Sequence, residues 1–258
     1  MVALILMVTL GACSSPSTTV GQGAATTDSG ATTAAGTGGT SSSPISRADT
    51  SPLGRALMLL QAARRYAFTV TTWAEGPDTH HLLVETNGVK VAPWTSLHIR
   101  GAGSGKSADI VYSDKGAAGR ETGSDWSSAA ALLDSAAWLQ ELPLENEQIA
   151  EDLIPSITAT AVIIDPLTPV PAPRPPAPAQ AAQAFSWTSP LMTGSRVDAE
   201  VTTTVWLNQA GWVLRLDRET SPASSEAGLR HTYTVIVFSR QGDSTLTLPV
   251  DGFESAVG

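Results

Sequence analysis

The side chains able to do chemistry are few in these 258 residues, and their spacing suits little chemistry. The four histidines are His80, His81, His98 and His231. His80 and His81 are adjacent on an expected strand, so they point to opposite faces and cannot chelate one ion together. His98 and His231 are far apart in sequence, and no His-x-x-x-His pair joins them, so no metal site is expected. The run Gly101-Ala102-Gly103-Ser104-Gly105-Lys106-Ser107 invites a phosphate-loop reading. That pattern needs a glycine five residues before Gly105, where Arg100 stands, and a helix after the lysine, where ADIVYS reads as a strand. A flexible inter-strand loop is expected instead. Asp217 and Glu219 fall on one face of an expected strand and offer a carboxylate pair, but solvated strand residues are the expectation. No Gly-x-Ser-x-Gly, His-Glu-x-x-His or Ser-x-x-Lys occurs. No catalytic residue, metal or cofactor is therefore assigned, and a non-enzymatic role is expected.

The remaining reactive group is the thiol of Cys13, the single cysteine of the chain. It has no disulfide partner. The uncharged run Val2–Leu10 precedes it, nine residues that would make a helix about 14 Å long. That is about half the hydrocarbon core of a bilayer, too short to span but long enough for the apolar part of an export signal. Leu10-Gly11-Ala12-Cys13 resembles the lipobox of bacterial lipoproteins. Only Met1 precedes the apolar run, where a basic start is usual, and Gly11 is a less usual residue than Ala or Ser. The resemblance implies cleavage before Cys13, a diacylglycerol on its sulfur and usually an acylated new N-terminus, palmitate being a typical chain. Residues 1–12 would be the signal peptide, and the mature protein would lie outside the cytoplasm, lipid-anchored to the cell membrane. Two or three chains hold a protein on a membrane where one holds it only marginally.

Residues 13–50 continue as a low-complexity Ser/Thr/Gly/Ala tether without an apolar face. Such a segment buries too little apolar surface to offset its ordering entropy, and its r.m.s. reach is roughly 35 Å. The formal charge is −9 and there is no basic cluster, which argues against nucleic acid and against docking on anionic lipid by charge. All seven Trp lie beyond residue 50.

From residue 51 to 258 the spacing predicts a single β-rich domain. Pro52–Arg65 reads as a helix capped by Ser51, with Ala56, Leu59, Leu60 and Ala63 at helical spacing and Arg64 and Arg65 at its end. Period two follows through Tyr66, Phe68, Val70 and Thr72. After a turn at Glu75-Gly76-Pro77-Asp78, a strand at about 80–86 is expected to reach a hairpin turn at Asn87-Gly88, with Val89–Val91 returning. Pro93 predicts a bulge or an edge. Leu97–Ile99, Ala108–Ser113 and Ala118–Thr122 read as further strands. Ser127–Leu142 reads as one helix, capped by Asp125 or Ser127, with Leu132, Leu133, Ala136 and Leu139 on one side. Glu145–Ile154 reads as a second helix and Ile157–Ile164 as a strand. Residues 166–178 hold seven prolines and read as an extended insertion running on to about Ala184. Asp198–Leu207, a turn at Asn208–Gly211, Trp212–Asp217 and Arg230–Ser239 form an antiparallel meander, which Thr245–Pro249 is expected to close.

The order of elements resembles periplasmic lipoprotein carriers of the LolA type, most of all over Val201–Arg218. The resemblance implies an α+β fold: a strongly curved antiparallel sheet, a half-open barrel, with helices on its concave side and an acyl chain between. On that reading the chain is a membrane-anchored exported lipoprotein binding lipid or another apolar ligand. Its lining would include Phe68, Val70, Leu132, Leu139, Val205, Trp206, Trp212, Leu214 and Val235. The expected partners are the membrane through Cys13 and a lipid ligand, with a monomer as the expected state. The alternative is a cell-envelope adaptor or sensor accessory that binds protein through a sheet edge or the proline-rich insertion.

Overall fold

The computed structural model describes residues 51–75, 80–144, 162–164, 175–193, 196–223 and 231–257. Cys13, the tether, the turn at 76–79, the expected helix at 145–154 and most of the proline-rich run lie outside the described residues.

Ser51 caps the first helix as its residue type predicts. Its hydroxyl accepts the Gly54 N–H at 2.9 Å, and Pro52 opens α1 (Pro52–Ala62). The buried stripe is Leu53, Ala56, Leu57 and Leu60, whereas Leu59 faces solvent. The helix stops three residues earlier than the spacing predicts, because Arg65 already belongs to the sheet.

Eleven strands follow among the described residues. They are β1 (Arg65–Glu75), β2 (His80–Val91), β3 (Trp94–Gly101), β4 (Ser107–Ser113), β5 (Gly116–Glu121), β6 (Ser127–Ser128), β7 (Val162–Ile164), β8 (Gln183–Thr193), β9 (Arg196–Leu207), β10 (Val213–Pro222) and β11 (Thr232–Ser239). All pair antiparallel in one sheet, in the order β6-β5-β4-β3-β2-β1-β11-β10-β9-β8-β7. Each half is a simple meander, and the first strand pairs with the last. The sheet is not closed, and an open antiparallel sheet this wide curls instead of staying flat. One apolar cluster runs over its inner face and takes in α1, α2 (Ala129–Ser135) and α3 (Ala137–Gln140). This is the half-open barrel with helices on one side that the order of elements implies.

Three sequence expectations give way to tertiary contacts. Asn87-Gly88 is not a turn: β2 runs through it, with Gly88 opposite Phe68 on β1. A Cβ built on Gly88 would lie 2.0 Å from Phe68 Cζ, so glycine makes room for the ring there and does not supply a turn. The reversal comes at Ala92–Pro93, whose peptide bond is cis. The expected helix over 127–142 is a two-residue strand followed by two short helices broken at Ala136. Its cap is Ser128, whose hydroxyl accepts the Ala131 N–H. Gly119 lets α2 approach β5, since a Cβ there would lie 2.4 Å from Leu132 Cδ2. Thr245–Pro249 does not form a strand. The Thr245 hydroxyl and N–H both donate to Asp243 Oδ1, at 2.6 and 2.8 Å, and fold the chain into a side-chain-bonded turn.

The tail then crosses the outer face of β3–β5. Phe253 packs edge-on against Trp94 and Trp126, with centroids 5.1 and 6.0 Å apart, over Val111 and Ala118. Arg120 stacks on Trp126, whose ring N–H donates to the Asp251 carbonyl.

Two predictions follow from these contacts. Gly88→Ala is expected to destabilise by about 1–3 kcal/mol through overpacking against Phe68, and adding Phe68→Leu should recover part of the loss in urea unfolding. The Asp243 carboxyl is held at about 2, below its ordinary 3.8, chiefly by the Thr245 hydroxyl, then by the Thr245 N–H and Arg240. Its depressed value stabilises the fold above about pH 4, and that contribution is lost as pH falls toward 2. Thr245→Val should move the Asp243 titration back toward the ordinary carboxylate range in an NMR pH series.

Candidate functional site

Strand register sorts the inner face into rows running across the sheet. One row is apolar: Phe185, Val205, Leu216, Ile236 and Val70 stand opposite one another on β8, β9, β10, β11 and β1. A second apolar row pairs Phe238 with Phe68 and continues past Gly88 to Leu97 and Ile110. Tyr66, Phe68 and Phe238 pack as an aromatic trio, with centroids 5.9 to 6.4 Å apart. Such pairs contribute about 0.5–1.5 kcal/mol each beyond area burial.

The next row along the strands is polar, in the order Trp187, Thr203, Arg218, Thr234 and Thr72. Thr72 and Thr234 share a hydrogen bond at 3.0 Å. Trp187 and Thr203 are 4% and 1% exposed, and among the described residues neither the Trp187 ring N–H nor the Thr203 hydroxyl has a hydrogen-bond partner. An apolar surface thus gives way within two residues to unsatisfied buried polar atoms.

The outer face has its own buried chemistry. Arg215 and Asp217 are 4% and 5% exposed and form a two-pronged pair at 2.7 Å on each side. The Trp206 ring N–H donates to the same carboxylate at 3.0 Å, and the guanidinium lies 5.2 Å from the Trp206 ring centroid. Arg215 also donates to the carbonyls of Pro176 and Pro175, at 2.7 and 3.1 Å, so the end of the proline-rich run is fastened to the sheet. Asp217 is therefore not a solvated strand residue. Glu219, on the same face, takes a hydrogen bond from His231, which also pairs with Glu75. His98 instead pairs with Asp109 at 2.8 Å, and Arg120 holds the other oxygen of Asp109. Strands β2 and β1 separate His98 from His231. Among the described residues no three His, Cys, Asp or Glu gather as a metal site. The Gly101–Ser107 run is the β3–β4 connection, with β4 and no helix after it.

The sequence-predicted lining divides between the two faces. Phe68, Val70, Val205, Leu132 and Leu139 meet in the inner cluster. Trp206 and Val235 lie on the opposite face, paired across the strands with Arg215 and Asp217, so they cannot line the same surface. Leu214 sits at a register shift between Val213 and Arg215, which puts Val213 inside and leaves Leu214 half-buried outside the cluster. Trp212 is half-buried in the turn before β10, where its N–H bonds Asn208.

Sequence reading overlooked Phe185 and Trp187, because β8 follows an Ala/Gln stretch and contains Pro190. β7 pairs only with residues 184–186, so Pro190 lies where that side of β8 has no neighbour among the described residues and proline is tolerated. The alternation Phe185, Trp187, Ser189 was the available signal.

No protein-family model matches the chain, and no curated protein does. Among solved structures, a LolA superfamily protein from Nitrosomonas europaea aligns at 10% identity and a TM-score of 0.30. The alignment covers 73% of this chain and 90% of that one. A DUF1329 family protein from Desulfovibrio piger aligns at 9% identity and a TM-score of 0.25, covering 76% and 93%.

The outer-face pair yields a stability prediction. Arg215→Met strands the Asp217 charge and is expected to cost about 3–5 kcal/mol, whereas Arg215→Met with Asp217→Leu should recover most of it. Equilibrium urea unfolding of the single and double variants checks this.

Proposed function

We propose that the chain is an exported lipoprotein, anchored outside the cytoplasm by an acylated Cys13, whose folded part binds a lipid or another apolar ligand. The observation that carries the ligand reading is the apolar row Phe185–Val205–Leu216–Ile236–Val70, laid across five strands of an open sheet. The row is buried beneath the helices, its members at most 6% exposed, so an acyl chain enters between sheet and helices and gains roughly 25 cal/mol per Å² only for apolar area it newly buries, without directional contacts. This suits a binder that takes its ligand and gives it up without chemistry. Support for the anchor comes from the apolar run, the small residues before Cys13 and the 37-residue tether at 14–50. No helix among the described residues is long and apolar enough to cross a membrane.

A second reading is a cell-envelope adaptor that binds protein. It is favoured by the clasp of Arg215 on Pro175 and Pro176, which holds one end of the proline-rich run against the outer face. Removing residues 166–174 should then abolish capture of the partner and leave lipid content unchanged.

Two measurements test the leading reading. Native mass spectrometry of the purified chain should show a bound lipid, and only the apo mass under gentle conditions would count against it. Cys13→Ser should remove the diacylglycerol mass increment and release the protein from membranes. Retention of both the mass and the membrane fraction would contradict the anchor.

A further inference from the structure

We propose that the outer stripe of α1, formed by Arg55, Met58, Leu59 and Ala62, rests on the lipid surface that holds the anchor. The inference rests on the reading of Cys13 as an acylated residue and adds how the folded part meets the membrane. The four positions are spaced i, i+3, i+4 and i+7, so they share one side of the helix. All four are exposed, Met58 and Leu59 to 44% and 43%. The opposite side, with Leu53, Leu57 and Leu60, is buried in the inner apolar cluster. α1 thus carries apolar residues on both sides, whereas packing on a sheet requires them on one.

Connectivity and charge select a membrane as the occupant. The tether of residues 14–50 ends at Ser51, the cap of α1, so α1 is the element of the fold joined directly to it. A tether with a reach of roughly 35 Å holds the helix near the surface at an effective concentration on the order of millimolar. A patch of two side chains, too small to hold a free protein on a vesicle, suffices under that condition. The chain carries a net charge of −9, yet no acidic residue occurs between Asp49 and Glu75, and Arg55 and Arg64 are exposed. Arginine lays its stem on apolar surface and keeps its charge among head groups, while the apolar side chains supply the insertion. Docking of α1 sets the sheet–helix interface that it covers beside the lipid from which an acyl chain would enter.

The test uses the full acylated chain on vesicles of phosphatidylcholine and phosphatidylglycerol. The sulfur of an acylated Cys13 is blocked, so an environment-sensitive dye can be placed by Ala62→Cys on the stripe, or by Asn87→Cys on the exposed outer face of β2 as control. With doxyl-labelled phosphatidylcholine in the vesicles, the dye at 62 should lose more than half its emission and the dye at 87 almost none. Met58→Gln with Leu59→Gln should abolish the quenching at 62, while the chain still floats with the vesicles and keeps its urea midpoint. Flotation without quenching at 62, equal quenching at both positions, or quenching that survives the double substitution overturns the docking and leaves the anchor standing. A blue shift at 62 that doxyl lipid does not quench and that grows with protein concentration puts a second copy on the stripe, and also overturns it. Failure of the unsubstituted chain to float overturns both the docking and the anchor.

Discussion

The pairing of β1 with β11 is the constraint on which the rest depends. It joins strands from the two ends of the folded part and makes one sheet of two meanders that are each locally connected. Side chains alternate with period two, so a slip of one residue at this seam would turn every inner residue of one meander to the outer face relative to the other. Phe68 opposite Phe238 and Val70 opposite Ile236 fix the seam by packing, and the Thr72–Thr234 hydrogen bond fixes it by polarity. A one-residue slip would set Phe68 opposite Val237 or Ser239 and Val70 opposite Val235 or Val237, residues of the outer face. Only in the observed register do the apolar and polar rows run unbroken from β8 to β1.

The two faces then solve different problems. The inner face is covered by α1, α2 and α3 and by close approaches that glycine permits at Gly88 and Gly119. The outer face is covered in patches. Phe253 and the tail shield β3–β5, and Arg215 draws the proline-rich run onto β10. Buried charge is tolerated on the outer face because both partners are hydrogen-bonded: Asp217 accepts from Arg215 and Trp206, and Arg215 also donates to the Pro175 and Pro176 carbonyls. The inner polar row lacks that completeness at Trp187 and Thr203.

Much of this fold is legible in the amino-acid sequence where local rules decide it. Ser51-Pro52 starts a helix, Asn208–Gly211 and Gln241-Gly242-Asp243 turn the chain, and the alternation of Val201, Thr203, Val205 and Leu207 marks an inner face. Local rules fail where a distant residue changes the meaning of a signal. Asn87-Gly88 has the chemistry of a hairpin turn, but Phe68 needs the missing Cβ more than the chain needs a reversal. Thr245 has the propensity of a strand residue, but Asp243 claims its hydroxyl and its N–H. The register shift at Val213–Arg215 reverses the faces expected around Leu214, and no spacing within β10 announces it. The candidate site was half legible for the same reason. Its apolar members follow from alternation, while Trp206 and Val235 are apolar residues that serve a buried ion pair on the other side.

The central claim is that a ligand lies on the inner face of the sheet. Photocrosslinking with a diazirine-bearing fatty acid, followed by peptide mapping, tests it most directly. The account predicts labelling at inner-face residues such as Phe185, Val205, Leu216 and Ile236, competed away by unlabelled oleate. Labelling confined to outer-face positions such as Val237, or none that oleate competes, would contradict it.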